Sequence, residues 1–114
     1  MNVIAADSRA DAEAQLQAIR RIRAVGLFGR GRQFEGMDFE EAADALLAQG
    51  AAHHVDQMLT HTALGTPDEV GEFLDGFGKL ADADELIVAH QSPTVEGRLR
   101  SVTLLAEGMA ARST

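Results

Sequence analysis

The sequence predicts an α/β fold that is mostly helical and contains two short parallel strands. Residues 1–6 form one apolar run with β-branched Val3 and Ile4, and residues 86–89 form the other. The second run is apolar at every position, which is typical of a strand covered on both faces of a parallel sheet. Between the two runs, apolar residues recur at spacings of three and four, and this period predicts helices.

A helix is predicted directly after the first strand. Asp7 or Ser8 caps it, and it ends near Gly26. The stretch from Leu27 to Met37 shows neither a helical nor a strand period, so it is predicted to be a glycine-rich loop.

Two further helical segments follow that loop. Asp38 starts a helix that ends around Gln49–Gly50, and Ala52–Leu59 forms another helical piece that leads into Thr60–Leu64.

The clearest helix start in the chain is at Thr66. Its hydroxyl caps the helix, Pro67 takes the first helical position, and Glu69 completes a capping box. The apolar stripe predicted for this helix consists of Val70, Phe73, Leu74, Phe77 and Leu80. Because three glycines weaken the helix by about 1 kcal/mol each, burial of that stripe must hold it in place.

The last predicted helix follows the second strand. Ser92 and Pro93 repeat the pattern of a cap followed by proline, and the apolar positions are Val95, Leu99, Val102, Leu105, Ala106 and Met109. Two strands alone leave both sheet edges open. We therefore expect a second copy or another polypeptide to complete the sheet.

Composition narrows the class of protein. The 114 residues are enough for a single domain, and the formal charge of −8 argues against a nucleic-acid surface. The chain has no cysteine, no apolar run near the roughly 20 residues of a membrane span and no cleavable leader. The expectation is a cytoplasmic protein that contacts neither nucleic acid nor membrane.

The best-placed polar residues are His90, Gln91 and Ser92, at the carboxyl end of the second strand. Ligands usually bind at this end of parallel strands. These three side chains are therefore candidates for contacting a cofactor or substrate. The alternative interpretation is that they form a polar helix cap after a strand.

Other motifs are weaker candidates for chemistry. His54 and His61 would share a helical face, but no carboxylate completes a ligand set with them, so no metal site is expected. The stretch Gly26–Arg32 could cradle a phosphate, but it lacks a strand before it and is interpreted as a solvated loop. Ser101 and His90 form no recognisable nucleophile motif, and Arg98 and Arg100 are assigned to a solvated helix face. Catalytic residues are therefore not assigned.

Four pieces of the sequence together resemble the last third of the luciferase-like, flavin-dependent monooxygenase family. They are, in order, NVIAAD at residues 2–7, GTPDEV at 65–70, ADELIV at 83–88 and RLRSVTLLAE at 98–107. The resemblance covers nearly the whole chain.

The resemblance implies a partial (β/α)8 barrel, in which residues 1–114 form a single domain of the last two βα units with a helical insertion at about 27–63. Members of the family bind FMN or a deazaflavin, so it implies an oxidoreductase of monooxygenase type. Such a barrel needs about 250 residues, so roughly six βα units that supply most of the active site are absent from this chain. We therefore expect the chain to be inactive alone. The alternative is a non-catalytic module for oligomerisation or partner binding, derived from the same barrel.

Overall fold

A computed structural model describes residues 1–29 and 35–113 of the chain. Its elements, in chain order, are β1 (Asn2–Ala5), α1 (Arg9–Phe28), α2 (Phe39–Leu46), α3 (Ala52–Met58), β2 (Thr62–Gly65), α4 (Pro67–Leu80), β3 (Ala89–His90) and α5 (Val95–Ser113). The fold is mostly helical with a small parallel sheet, which confirms the predicted α/β class.

The described residues form three strands, where the sequence pattern predicts two. The strand order is β2-β1-β3, and β1 is parallel to both neighbours. The strand that the prediction missed is β2, whose residues Thr62–Gly65 pair with Asn2–Ala5. β1 therefore has a partner on each side from its own chain, and the prediction that a second copy or another polypeptide completes the sheet stays a prediction.

The second predicted strand is shorter than expected. Only Ala89 and His90 pair with β1, opposite Asn2 and Val3. This register places Val88 opposite Met1, so residues 86 and 87 lie beyond the paired part of β1. Leu86 and Val88 still pack against the core, whereas the side chain of Ile87 is 85% exposed. The predicted burial of the whole run is therefore wrong at Ile87 and at Ala89, which is also exposed.

The core beside the sheet is built from one face of the strands and two helices. Val3, Ala5 and Ala63 of the strands pack with Val70 and Leu74 of α4 and Leu104 of α5, and all six are buried. Side chains alternate along a strand, so Ile4 belongs to the opposite face of β1. Ile4 is fully buried as well. The chain thus covers β1 on both faces.

Helix α4 begins as its sequence predicts. The hydroxyl of Thr66 accepts a hydrogen bond from the backbone of Glu69, and the Glu69 carboxylate accepts one from the backbone of Thr66. The predicted stripe is only partly buried. Val70 and Leu74 are in the core, whereas Phe73 is exposed and Leu80 is 88% exposed.

Helix α1 extends further than predicted. It continues through Gly26 to Phe28, so the first two residues of the predicted loop are helical. A mid-helix glycine costs about 1 kcal/mol, which does not end a helix of this length. Of the proposed phosphate-binding stretch, Arg30 to Arg32 lie outside the described residues.

Two compact units make up the chain. One contains residues 1–16 and the residues from 61 onward, and the other contains residues 17–60. In the second unit, Asp38 caps α2 through a 2.8 Å bond from the backbone of Glu41, as predicted. A widened turn with Gly50 at φ +102° separates α2 from α3. The core of this unit is Ala24, Ala42, Leu46 and Val55.

Ion pairs reinforce the second unit. The guanidinium of Arg20 binds Asp56 with contacts of 2.8 and 3.2 Å, and Arg21 binds both Asp44 and Glu40. Among the helices of the described residues, none is long and apolar enough to span a membrane.

Candidate functional site

The strand order indicates that a ligand would bind at the carboxyl ends of β1 and β3. From β1 the chain passes to β2 on one side, and from β2 it passes across to β3 on the other. Open parallel sheets bind ligands where successive connections diverge in this way, beyond the carboxyl ends of the two central strands. Asp7 follows β1 at this point, and Gln91 and Ser92 follow β3.

His90 is held by a partly buried chain of hydrogen bonds. Its Nδ1 lies 2.6 Å from the Oγ of Ser101, and the backbone N–H of Ala5 donates to the same Oγ at 2.9 Å. Ser101 is fully buried on α5, while His90 is half-buried. One hydroxyl therefore joins β1, β3 and α5.

This geometry is compatible with a neutral His90, whose tautomer depends on which partner donates in the bond between Nδ1 and Oγ. The Ser101 oxygen accepts from Ala5, so its proton is best donated to the Nδ1 of a neutral His90, which leaves the imidazole proton on Nε2. Burial acts in the same direction, because it lowers the pKa of His90 below its ordinary value of 6.5.

The Ser101–His90 pair does not form a nucleophile. An activated serine must reach its substrate, and its histidine is normally oriented by a third group. Ser101 has no exposed surface, and no carboxylate contacts His90 within residues 1–29 and 35–113. The pair instead provides a structural link between β3 and α5.

Gln91 ties β3 to β1. Its backbone N–H donates to the carbonyl of Val3 at 2.9 Å, and its Nε2 donates to the Oδ1 of Asn2 at 3.2 Å. Both bonds connect the same two strands. Gln91 therefore occupies the predicted end of the sheet and stabilises it.

Ser92 is buried and does not cap α5. Its side chain is 1% exposed, and its Oγ has no hydrogen-bond partner in the described part of the chain. The cap is Thr94, whose Oγ1 accepts from the backbone of Gly97 at 2.9 Å. The predicted cap at Ser92 is therefore wrong. Thr94 caps the helix two residues later, so Pro93 lies before the cap and not at the first helical position.

An ion pair connects the end of β1 to α5. Arg100 binds Asp7 through two contacts of 2.6 and 3.3 Å, and this hydrogen bonding lowers the pKa of Asp7 below 3.8. Arg98 donates to the carbonyl of Ser92 at 3.3 Å. Both arginines are exposed, as predicted, but each also contacts the candidate site.

The structure separates the histidines that the sequence placed on one helical face. His61 follows the end of α3 and lies 5.5 Å from the ring of Phe77, whereas His54 lies in α3 at 5.4 Å from the ring of Phe28. The predicted shared face for His54 and His61 is therefore wrong. Within the described ranges, no group of three or more histidine and acidic side chains lies close enough together to hold a metal ion.

Sequence reasoning missed several residues of the site. Ser101 contacts His90 and Asn2 contacts Gln91, over sequence separations of 11 and 89 residues that no local pattern reveals. The one local signal available was the spacing from Thr94 to Gly97, which is that of a helix cap.

Comparison of this chain with protein-family models, curated proteins and solved structures found no match.

Proposed function

We propose that this chain is the C-terminal βα portion of a luciferase-like, flavin-dependent oxidoreductase whose complete form binds FMN or a deazaflavin. The four sequence pieces that resemble the family support this proposal. The parallel pairing of β1 with β3 is compatible with it, since these strands would be neighbours as the seventh and eighth strands of a barrel. The other side of β1 is paired with β2, so the sixth strand of a complete barrel would have to replace β2 there.

The observation that carries the proposal is the position of His90, Gln91 and Ser92 at the carboxyl end of β3, beside the end of β1. This is where both barrels and open parallel sheets bind cofactors. A bound flavin would supply the transfer of electrons. The chain would contribute hydrogen-bond donors there, chiefly the Nε2–H of His90.

The same contacts explain why we expect no turnover by the chain alone. The side chains of Gln91 and Asp7 are bonded to Asn2 and Arg100 of the same chain, and the Oγ of Ser92 is buried. Most of the groups that hold the flavin would then come from the preceding βα units, either in the same polypeptide or in a partner. We place the protein in the cytoplasm, because the sequence has no cysteine for disulfides.

Flavin retention tests this proposal. The chain is incubated with FMN or a deazaflavin and then dialysed against flavin-free buffer. The same is done with a chimera that joins the first six βα units of a luciferase-like enzyme to Met1. We expect stoichiometric flavin only in the chimera, and weaker retention after His90→Ala. The six units without this chain are the control. A chimera that unfolds cooperatively yet retains no flavin would contradict the proposal. A chain that retains flavin unaided would contradict the expectation that the preceding units hold most of it.

A second candidate function is a non-catalytic module for homo-oligomerisation or partner binding. It is favoured by apolar side chains that face solvent, namely Leu80 and Ile87 together with Val95, Leu99 and Val102 at helical spacing on α5. Exposed apolar patches of this kind mark interfaces. Dimers formed by the chain alone, together with a chimera that retains no flavin, would favour this module over the flavin enzyme.

A further inference from the structure

An open groove lies between α4 and α5, beneath the segment that connects α4 to β3. It has a volume of about 570 Å³. Its floor is apolar and consists of Leu74 and Gly78 on α4, Leu86 and Val88 on the connecting segment, and Leu105 and Met109 on α5. All of these residues belong to the first compact unit.

The floor spans about one turn of each helix. Leu74 and Gly78 are four residues apart on one helix, and Leu105 and Met109 are four apart on the other, so each pair extends about 6 Å along its helix axis. Gly78 adds no side chain to the floor, and a Cβ at this position would lie in ordinary van der Waals contact with the Cδ1 of Leu86, at 3.8 Å. Two helices side by side offer the kind of groove into which a third helix packs.

The rim of the groove is acidic. It carries Asp75, Asp82, Asp84 and Glu85 against a single cation, Lys79. Asp75 is neutralised by Arg112, whose Nε lies 2.6 Å from its carboxylate. Asp82, Asp84 and Glu85 are exposed and form no ion pair with any residue that the structure describes. An apolar floor beneath three unpaired carboxylates is complementary to an apolar segment flanked by cations.

We propose that this groove binds a cationic amphipathic helix of a partner protein. The leucine-type side chains of that helix, at spacings of three and four, would contact the floor, and its lysines or arginines would pair with Asp82, Asp84 and Glu85. This inference does not depend on the flavin proposal, since it concerns neither the carboxyl end of the sheet nor a cofactor.

Binding of a synthetic helix tests the groove. The probe is a fluorescent amphipathic peptide of leucine and lysine with leucines at helical spacing, and the control peptide has the same composition in strict alternation. We expect the native chain to bind the helical peptide at least about tenfold more tightly than the alternating one. We also expect the binding to weaken as salt screens the rim. Equal binding of both peptides, or none, would overturn the proposal.

Two variants locate the binding. Asp82→Asn, Asp84→Asn and Glu85→Gln together remove the rim charges, and asparagine tolerates the positive φ of +52° at position 82. Gly78→Leu fills the groove and improves helix propensity, so it is expected to block the peptide without lowering thermal stability. Each variant should weaken binding about tenfold.

A matched control carries the same charge change elsewhere. Glu35→Gln, Glu41→Gln and Glu72→Gln remove three exposed carboxylates that do not line the groove. This variant should bind the peptide almost as tightly as the native chain. Peptide binding that survives Gly78→Leu, or that falls equally in the control triple, would contradict the groove. A dimer that Gly78→Leu dissociates would show a second copy as the occupant and would also overturn the proposal.

Discussion

At the residue scale, the oxygen of Ser101 joins three elements. It accepts from Ala5 on β1 and contacts the Nδ1 of His90 on β3, while Ser101 itself lies on α5. A buried polar group of this kind stabilises the fold only while both partners are present, because an unpaired backbone N–H in the core is costly. Replacing Ser101 should therefore lower the free energy of unfolding by the cost of unpairing these groups.

Ser101→Ala is expected to lower the free energy of unfolding by about 1–3 kcal/mol, since it strands the N–H of Ala5 and the Nδ1 of His90. Urea unfolding measures the loss. Thr103→Ala is the control on the same helix, because its hydroxyl is exposed and donates only to the carbonyl of Leu99. Equal effects for the two substitutions would mean that the buried network contributes nothing.

The free energy of unfolding should also decrease as the pH is lowered below 6.5, the ordinary pKa of histidine. Burial lowers the pKa of His90, so the unfolded chain binds the proton more tightly than the folded chain. The contribution of neutral His90 is therefore complete above pH 6.5 and is lost as the pH falls through the pKa of the folded state. Asp7 and Glu69 also have lowered pKa values, but their ordinary values of 3.8 and 4.5 confine their effect to more acidic conditions.

The measurement compares urea unfolding at about pH 7.5 and about pH 5.5. The native chain should be less stable at the lower pH. His90→Asn, whose Oδ1 replaces Nδ1 as the acceptor for Ser101, should show a smaller difference. Equal pH dependence in the two proteins would assign the effect to another group.

The sequence located part of this site. His90, Gln91 and Ser92 follow an apolar run, and a run of that kind predicts a strand whose carboxyl end is functional. The sequence did not predict the hydrogen bond between Ser101 and His90. Ser101 lies on α5 at helical spacing from other small residues, and only the packing of α5 against β3 brings its hydroxyl to His90. Ser92 was misassigned for a local reason, since both Ser92 and Thr94 have capping side chains.

At the element scale, α4 and α5 pack at their closest where small residues allow it. A Cβ on Gly108 of α5 would lie 2.6 Å from the carbonyl oxygen of Pro67, at the start of α4. A Cβ on Gly76, in the exposed part of α4, would meet nothing within 4 Å. The same substitution should therefore have opposite effects at the two positions.

Gly76→Ala is expected to raise the free energy of unfolding by about 0.5–1 kcal/mol through helix propensity. Gly108→Ala is expected to lower it by about 1–3 kcal/mol, because the backbone of α4 would have to move away. Thermal unfolding of the two variants measures both effects. A stabilising Gly108→Ala would show that α4 and α5 do not approach each other as closely as described.

Elements with strong local signals were predicted well, and those set by pairing were not. The start of α4 depends on Thr66, Pro67 and Glu69, which are adjacent in sequence. Strand β2 has four residues and lacks a long apolar run, so its pairing with β1 carries the information that its sequence lacks. Residues 86–88 show the converse, since their apolar pattern predicts a strand but the register with β1 leaves them unpaired.

At the scale of the whole molecule, the open edge of the sheet is the surface that can add another chain. β1 is paired on both sides and buried on both faces, so the centre of the sheet requires no second chain. β3 is an edge strand of two residues, and Ile87, two residues before it, is 85% exposed. Exposed edges with apolar side chains favour association with another strand.

We therefore expect the native chain to self-associate through the edge beside β3, and Ile87→Lys to weaken that association. A lysine at an edge opposes strand addition through its charge, and its effect on folding should be small because the side chain at this position already faces solvent. Sedimentation velocity over a range of concentrations measures the oligomer, and urea unfolding checks that stability is unchanged. Leu27→Lys is the matched control, since Leu27 is an exposed apolar residue of α1. A native chain that is monomeric at every concentration, or an Ile87→Lys variant that associates like the native chain, would assign the open edge to a different partner or to none.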